Sequence, residues 1–278
     1  LGDQVERRIA RVAAGAPSLA AAMAVLGDGG SLAVAAELAG MSTDEAGEIA
    51  YRLRRIEVLD SEDPFVFVHP LVRRSVYDSM STTQRDAHHG TAAGLLKQAG
   101  AAPEVVAAHR AAVRPSGSVA AATAMVRAAG EALARGAPDE AIRWYRRALA
   151  EDAPEPPRAE LLGALGTAEV ALLDPAALDH LRRALEESTD PVFNARVAVT
   201  LAPPLFAAGQ WTESADVIAN AQAELGDRDP ALSAELAGVG LMISSYSLVV
   251  GDRTPASEQR LDELTAGPSW AALALAAM

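Results

Sequence analysis

The chain has 278 residues, of which 50% are hydrophobic and only 4% aromatic, and its formal net charge is −13. A composition rich in alanine and poor in aromatic residues favours closely packed helices over a β-sandwich. The chain has no cysteine, which excludes disulfides, thiolate zinc sites and cysteine nucleophiles. A reducing cytosol is compatible with that absence, and no apolar run approaches the ~20 residues of a transmembrane helix. We therefore expect a cytoplasmic protein without a membrane partner.

The negative charge is concentrated in the second half of the chain. The net charge is −2 over residues 1–114 and −11 over residues 115–278. Nucleic-acid binding depends on Lys and Arg displacing counterions from phosphates, and an acidic surface repels those phosphates. The second half is therefore not expected to bind DNA.

The first 80 residues predict four helices followed by a β-hairpin. Ser31 is placed to cap the third helix and Gly40 to end it, and the spacing from Ser42 to Glu45 predicts a capping box for the fourth. A short helix, a turn, a longer helix and a hairpin wing together predict a winged helix. The predicted elements are helices over Asp3–Ala14, Ser18–Leu26, Leu32–Leu38 and Ser42–Arg55, and strands over Val58–Leu59 and Phe65–Val68.

This winged helix has either a structural or a DNA-binding role. Recognition helices usually direct their N-terminal residues at base edges. Here the fourth helix begins with Thr43, Asp44 and Glu45, and Glu48 follows one turn later, so three carboxylates would face the DNA phosphates. The sequence favours the structural role and leaves direct DNA binding as an alternative.

The run FVFVHPLVRRSVYDSM, from Phe65 to Met80, predicts a short buried strand leading into a helix, with His69 between them. Pro70 suits the first position of that helix, where no intrahelical partner exists for an amide hydrogen. The run resembles a segment of the large ATP-binding LuxR-type transcription regulators, which are multidomain signal-transduction ATPases. The resemblance is also carried by the residues that follow: Arg85, His88 or His89, and Leu95-Leu96.

The resemblance implies a nucleotide-sensing role for His69. In several relatives of that family, a histidine at the end of the winged helix faces the phosphates of bound ADP, and His69 has the matching position. On the residues alone, the ordinary interpretation is a ring that bonds a nearby carbonyl. The nucleotide contact is expected only in the intact protein, because this chain has no phosphate-binding loop.

Residues 81–117 predict connecting helices between two larger parts. The spacing from Ser81 to Gln84 predicts a second capping box, and its helix runs to Ala99. A further helix is predicted over Pro103–Val113. The cluster Pro115–Ser118 then predicts a domain boundary.

Beyond this boundary the chain repeats itself. Ala148, Ala184 and Ala221 are at equivalent positions in three segments, with spacings of 36 and 37 residues. These segments resemble tetratricopeptide repeats with drifted periods, and such helix pairs stack into a solenoid with a concave inner surface. A looser fourth unit is predicted over Pro230–Leu264 and a fifth from Pro268. Two arginine pairs that recur at one repeat position predict a solvated face: Arg146-Arg147 and Arg182-Arg183.

The predicted fold is mainly all-α. Residues 1–80 form a winged-helix-like domain with a small β-hairpin, residues 81–117 form connecting helices, and residues 118–278 form tetratricopeptide-like repeats.

The sequence contains no recognisable catalytic motif. The phosphate loop G-x-x-x-x-G-K-[ST], the G-x-S-x-G elbow and the H-E-x-x-H motif are all missing. His88 and His89 are adjacent and hence about 100° apart on a helix, while His109 and His180 stand alone in the sequence. We therefore expect no catalytic residue, no metal and no cofactor in this chain.

The predicted function is that of a non-catalytic regulatory fragment. The resemblance implies a nucleotide-binding core before Leu1, which would bind ATP or ADP, and a DNA-binding domain after Met278. It also implies that a protein or small-molecule inducer binds the repeats, that ADP locks a closed form, and that release allows self-association on DNA. The alternative is a free-standing repeat scaffold that binds a peptide of another protein.

Overall fold

The computed structural model describes residues 2–250, and it describes side-chain burial for residues 4–245. Over the described residues the protein is mainly helical, with 14 helices and one small two-stranded sheet, which confirms the expected fold class at this level. No described helix combines the length and the apolar character needed to cross a membrane. The chain divides into two compact units, Leu1–Ala128 and Ala129–Met278. The division falls between Ala128 and Ala129, beyond the Pro115–Ser118 cluster.

The first unit consists of short helices around one β-hairpin. Leu59 pairs with Phe67 in the antiparallel sheet, and a bulge separates this pair from the Ser61–Val66 pair. The elements are α1 (Gly2–Ala10), α2 (Ala16–Leu26), α3 (Leu32–Ala39), α4 (Thr43–Arg55), β1 (Leu59–Glu62), β2 (Phe65–Phe67), α5 (Pro70–Ser79), α6 (Thr82–Gln98), α7 (Pro103–Ala112) and α8 (Val119–Ala134).

Local sequence signals fix several of these helix ends. The Ser42 hydroxyl accepts a hydrogen bond from the Glu45 amide at 3.2 Å, and both bonds of the Ser81–Gln84 capping box are present. Gly40 ends α3 in the left-handed conformation, with φ of 71°. The prediction that α1 extends to Ala14 is wrong, because the helix ends at Ala10.

The predicted cap of α3 is also wrong. The Ser31 side chain makes no capping hydrogen bond, and the Leu32 amide donates instead to the Asp63 carboxylate at 3.2 Å. The cap thus comes from the turn of the hairpin, which is distant in sequence.

The hairpin packs into the core of the first unit through alternate residues. Phe65 and Phe67 are buried and Val66 is only partly buried. Gly30 forms an isolated bridge with Phe65, and a Cβ atom on Gly30 would lie 2.5 Å from the Phe65 ring. Only glycine therefore fits there. The largest fully buried side chains of this core are those of Leu19, Met23, Leu53, Leu59 and Phe65.

The second unit is built from consecutive helices that pack on one another. The equivalent residues Ala148, Ala184 and Ala221 are all buried. Helices α10 (Arg158–Val170) and α12 (Pro191–Ala207) also pack together, as do α12 and α14 (Pro230–Val250). Beyond α8 the described helices are α9 (Pro138–Glu151), α10 (Arg158–Val170), α11 (Ala176–Glu187), α12 (Pro191–Ala207), α13 (Trp211–Leu225) and α14 (Pro230–Val250).

Two glycines allow α10 to approach its neighbours closely. A Cβ atom on Gly166 would lie 2.6 Å from Leu181 of α11, and one on Gly163 would lie 2.9 Å from the Phe193 ring of α12. Such close approach of helices agrees with the packing that the alanine-rich composition predicts. The rest of the predicted fourth repeat and the whole fifth lie outside the described residues.

Candidate functional site

His69 lies between β2 and α5 and is the N-cap residue of α5. Its backbone is extended, with φ of −156° and ψ of 141°, and Pro70 follows in the first turn of the helix. The His69 Nδ1 atom accepts a hydrogen bond from the Leu71 amide at 3.1 Å. The ring therefore bonds an amide of its own helix and not a carbonyl.

This hydrogen bond determines the tautomer of the neutral ring. An acceptor nitrogen of imidazole carries no proton, so the proton of neutral His69 resides on Nε2. His69 is exposed, and its Nε2–H is therefore a hydrogen-bond donor available at the surface. It lies at the N-terminus of α5, where the helix dipole favours an anion.

Exposed aliphatic side chains flank His69. Val68 is 41% exposed and Leu71 is 55% exposed. Val68 lies between β2 and α5, and Leu71 lies in the first turn of α5. We call the three exposed residues Val68, His69 and Leu71 the joint surface.

The joint surface rests on a rigid support. The Phe67 amide donates to the Asp28 carboxylate at 3.0 Å, and the Val68 amide donates to the Val58 carbonyl at 3.2 Å. On the helical side, the Arg73 Nε atom donates to the Ala24 carbonyl at 3.1 Å. These bonds tie β2 to the loop after α2 and tie α5 to α2 itself, so His69 is held from both sides.

A second polar cluster lies inside the first unit, between residues of α5, α6 and α7. His89 on α6 and His109 on α7 are each 7% exposed, and their Nδ1 atoms are 2.9 Å apart. The Tyr77 hydroxyl of α5 lies 2.8 Å from the His89 Nε2 atom. We call these three residues the histidine pair and its tyrosine. His109 stands alone in the sequence, but in the folded chain its ring contacts that of His89, which is 20 residues away.

Burial governs the protonation of this pair. It lowers the pKa of His89 to about 4, with the charge of a protonated His109 as the second cause. Burial also lowers the pKa of His109, and the Arg73 guanidinium adds to that effect. A neutral pair has one N–H between the two Nδ1 atoms. Two charged rings would place two N–H groups against each other, so double protonation breaks the contact.

The end of α4 that would face DNA is acidic and exposed. Thr43, Asp44 and Glu45 are all exposed there. Further along α4, Glu48 forms an ion pair with Arg52 at 3.6 Å. This end of the helix would repel phosphates.

In the second unit a buried carboxylate joins three helices. Glu169 of α10 is fully buried, and it accepts from the Arg146 guanidinium of α9 at 2.8 Å. Its other oxygen lies 2.6 Å from the Nδ1 atom of His180 on α11. His180, which stands alone in the sequence, is therefore part of a structural network.

The arginines predicted to lie on a solvated face make ion pairs. Arg182, at the repeat position of Arg146, forms a two-pronged contact with Glu213 of α13 at 2.6 and 2.8 Å. Arg147 lies 2.8 Å from the buried Glu151. In both repeats the first arginine of the pair thus contacts a glutamate on a later helix.

No family model, curated protein or solved structure matches this chain. Its function is therefore inferred from its own residues and their geometry.

Proposed function

We propose that this chain is the non-catalytic regulatory part of an ATP-dependent LuxR-type transcription regulator, and that His69 is its nucleotide-sensing residue. The observation that carries the proposal is the capped ring of His69. Its Nδ1 atom accepts a hydrogen bond from the Leu71 amide at 3.1 Å, so the proton of the neutral ring is on Nε2. This N–H can donate to a ligand beside the exposed side chains of Val68 and Leu71.

The proposal gives each part of the joint surface a role. Nε2–H of His69 would donate to a phosphate oxygen of ADP, and the positive end of the α5 dipole would add favourable electrostatics. Val68 and Leu71 would contact a nucleotide-binding core supplied by the longer protein. Burial under another domain would explain why these two aliphatic side chains are exposed in this chain.

We also propose that residues 1–80 form a winged helix. The order α2, the Gly30 bridge, α3, α4, β1 and β2 supports this, because a winged helix has one short strand between its first two helices and two strands after its third. The acidic N-terminus of α4 supports a structural role over DNA binding. Contact with DNA would then be made by a domain outside this chain.

The repeats would receive the signal. Packing of α10 against α12 and of α12 against α14 supports stacked helix pairs, as a solenoid requires. A protein or small-molecule inducer would bind this stack in the cytoplasm. ADP would hold the closed form. Inducer on the repeats, together with ATP in place of ADP on the core, would open that form and permit self-association.

The experiment compares wild type with two variants of the longer protein by light scattering, with ADP or ATP and without inducer. His69→Ala removes both the cap and the ring, whereas His69→Asn keeps a capping oxygen but loses Nε2–H. We expect ADP to hold wild type unassembled and both variants to assemble. If only His69→Ala assembles, the residue acts as a helix cap and the sensing role is wrong.

A free-standing scaffold that binds a peptide is the second candidate. It predicts that the longer protein binds no nucleotide at all, and the same preparation tests this with labelled ADP. Absence of binding would place the scaffold first.

A further inference from the structure

The first unit contains a cavity that the proposed function leaves without a role. Its volume is about 620 Å³, within the range of roughly 300–1,000 Å³ that is usual for small-molecule sites. Its walls come from α7, from the first half of α8 and from the turn between α6 and α7. All of its lining residues belong to the first unit.

One side of the cavity is apolar. On α7, Pro103 and Val106 lie three residues apart and so share a face of the helix. On α8, Val119, Ala120 and Ala124 line the opposite wall. Val119 is 38% exposed, so an aliphatic surface remains open to solvent in this cavity.

The charged residues of the cavity are all basic. Lys97 lies at the end of α6, Arg110 at the end of α7 and Arg127 on α8. No carboxylate lines the cavity, and within residues 4–245 none of these three cations has an ion-pair partner. In contrast, the nearby Arg114 is paired with Asp86 at 2.8 Å.

This concentration of positive charge is unusual in a chain with a net charge of −13. Three like charges around one cavity repel each other, and an anion between them would relieve that repulsion. A cation is disfavoured for the same reason. A purely apolar ligand would leave the basic groups without partners.

We propose that this cavity binds a small amphiphilic anion. Its carboxylate or phosphate head would lie among Lys97, Arg110 and Arg127, and its apolar body would lie against Val106 and Val119. The hydroxyl of Thr123, which also lines the cavity, is a further donor for the head. The proposal does not depend on nucleotide sensing by His69.

The test uses the 278-residue chain and four ligands with the same ten-carbon body. Calorimetric titration compares decanoate, decyl phosphate, decanol and decyltrimethylammonium, all below their micellar concentrations. We expect at least one anion to bind with one-to-one stoichiometry. The Kd of decanol should be at least about tenfold higher than the Kd of that anion. The preferred anion then identifies the head group. Equal affinity for decanol and both anions, or no anion binding, overturns the proposal.

Variants locate the binding. Arg110→Gln and Arg127→Gln should each weaken the better anion about tenfold, and higher salt should weaken it further. Arg143→Gln is the matched control, because Arg143 is an exposed arginine of the second unit and its loss changes the net charge equally. Ala120→Trp should block the anion by filling the cavity. If Arg143→Gln weakens binding as much as the cavity variants do, the effect is one of net charge and the site is refuted.

Discussion

The histidine pair and its tyrosine make the stability of the first unit depend on pH. Burial lowers the pKa of His89 from its ordinary value of 6.5 to about 4 in the folded chain. Between these two values the unfolded chain binds a proton that the folded chain does not. The contribution of neutral His89 to the free energy of unfolding is therefore complete above pH 6.5, and it is lost as the pH falls toward 4.

The size of the effect follows from the same shift. The full difference of pKa corresponds to about 3 kcal/mol, and about 2 kcal/mol of it is already lost at pH 5. Burial of His109 acts in the same direction. Other charges near the pair are Arg73, His88 and Asp86, and of these only Asp86 raises the pKa of His89.

The assay is urea unfolding of the 278-residue chain at pH 7.5, 6 and 5, followed by circular dichroism. We expect wild type to lose about 2 kcal/mol of unfolding free energy between pH 7.5 and 5. The double variant His89→Leu/His109→Leu replaces both rings by apolar groups, which removes most of this loss. Arg143→Gln is the control, since it removes an exposed arginine of the second unit and leaves both rings of the pair in place, so it should not change the loss. An equal loss in wild type and in the double variant would refute the reasoning.

Three further predictions concern packing, capping and buried charge, and each is checked by urea unfolding at pH 7.5. Gly166→Ala should destabilise the second unit by about 1–3 kcal/mol because its Cβ atom would overlap α11, whereas Gly94→Ala on α6, where the added atom meets nothing within 4 Å, should stabilise by up to about 1 kcal/mol. Equal effects of the two glycine changes would contradict the close approach of α10. Asp63→Ala should lower the free energy of unfolding by about 1 kcal/mol because α3 loses its cap, whereas Ser31→Ala should leave it nearly unchanged. A larger loss from Ser31→Ala than from Asp63→Ala would mean that Ser31 is the cap. Glu169→Ala should lower the free energy of unfolding by about 1–3 kcal/mol, because His180 loses its buried partner and Arg146 keeps only the Asp174 carboxylate at 3.6 Å. A loss below about 0.5 kcal/mol would mean that the network does not hold these helices together.

Features encoded by neighbouring residues could be predicted from the sequence. The caps at Ser42 and Ser81 and the left-handed Gly40 lie within one helical turn of the ends they fix, so the local pattern contains the whole signal. The strand that leads into the Pro70 helix is likewise encoded by neighbouring residues. Alternation of buried and partly buried residues from Phe65 to Phe67 needs only the period of a strand.

Features made by distant residues could not be predicted. The carboxylate of Asp63 caps a helix that begins 31 residues earlier, and the partner of His89 is 20 residues away. Neither spacing has a local signature, because the tertiary fold alone brings the groups together. The basic cavity is a third example, since Lys97 and Arg127 line it together although they are 30 residues apart in sequence.

The proposed contact between the Nε2–H of His69 and bound nucleotide is tested most directly by the affinity for fluorescent ADP of the proposed ATP-dependent regulator that would contain this chain. His69→Asn retains a capping oxygen and removes this donor, so it isolates the contact from the stability of α5. We predict that His69→Asn binds ADP about tenfold more weakly than wild type, as expected for one hydrogen bond to a charged phosphate. Equal affinities of wild type and His69→Asn for ADP would contradict the claim.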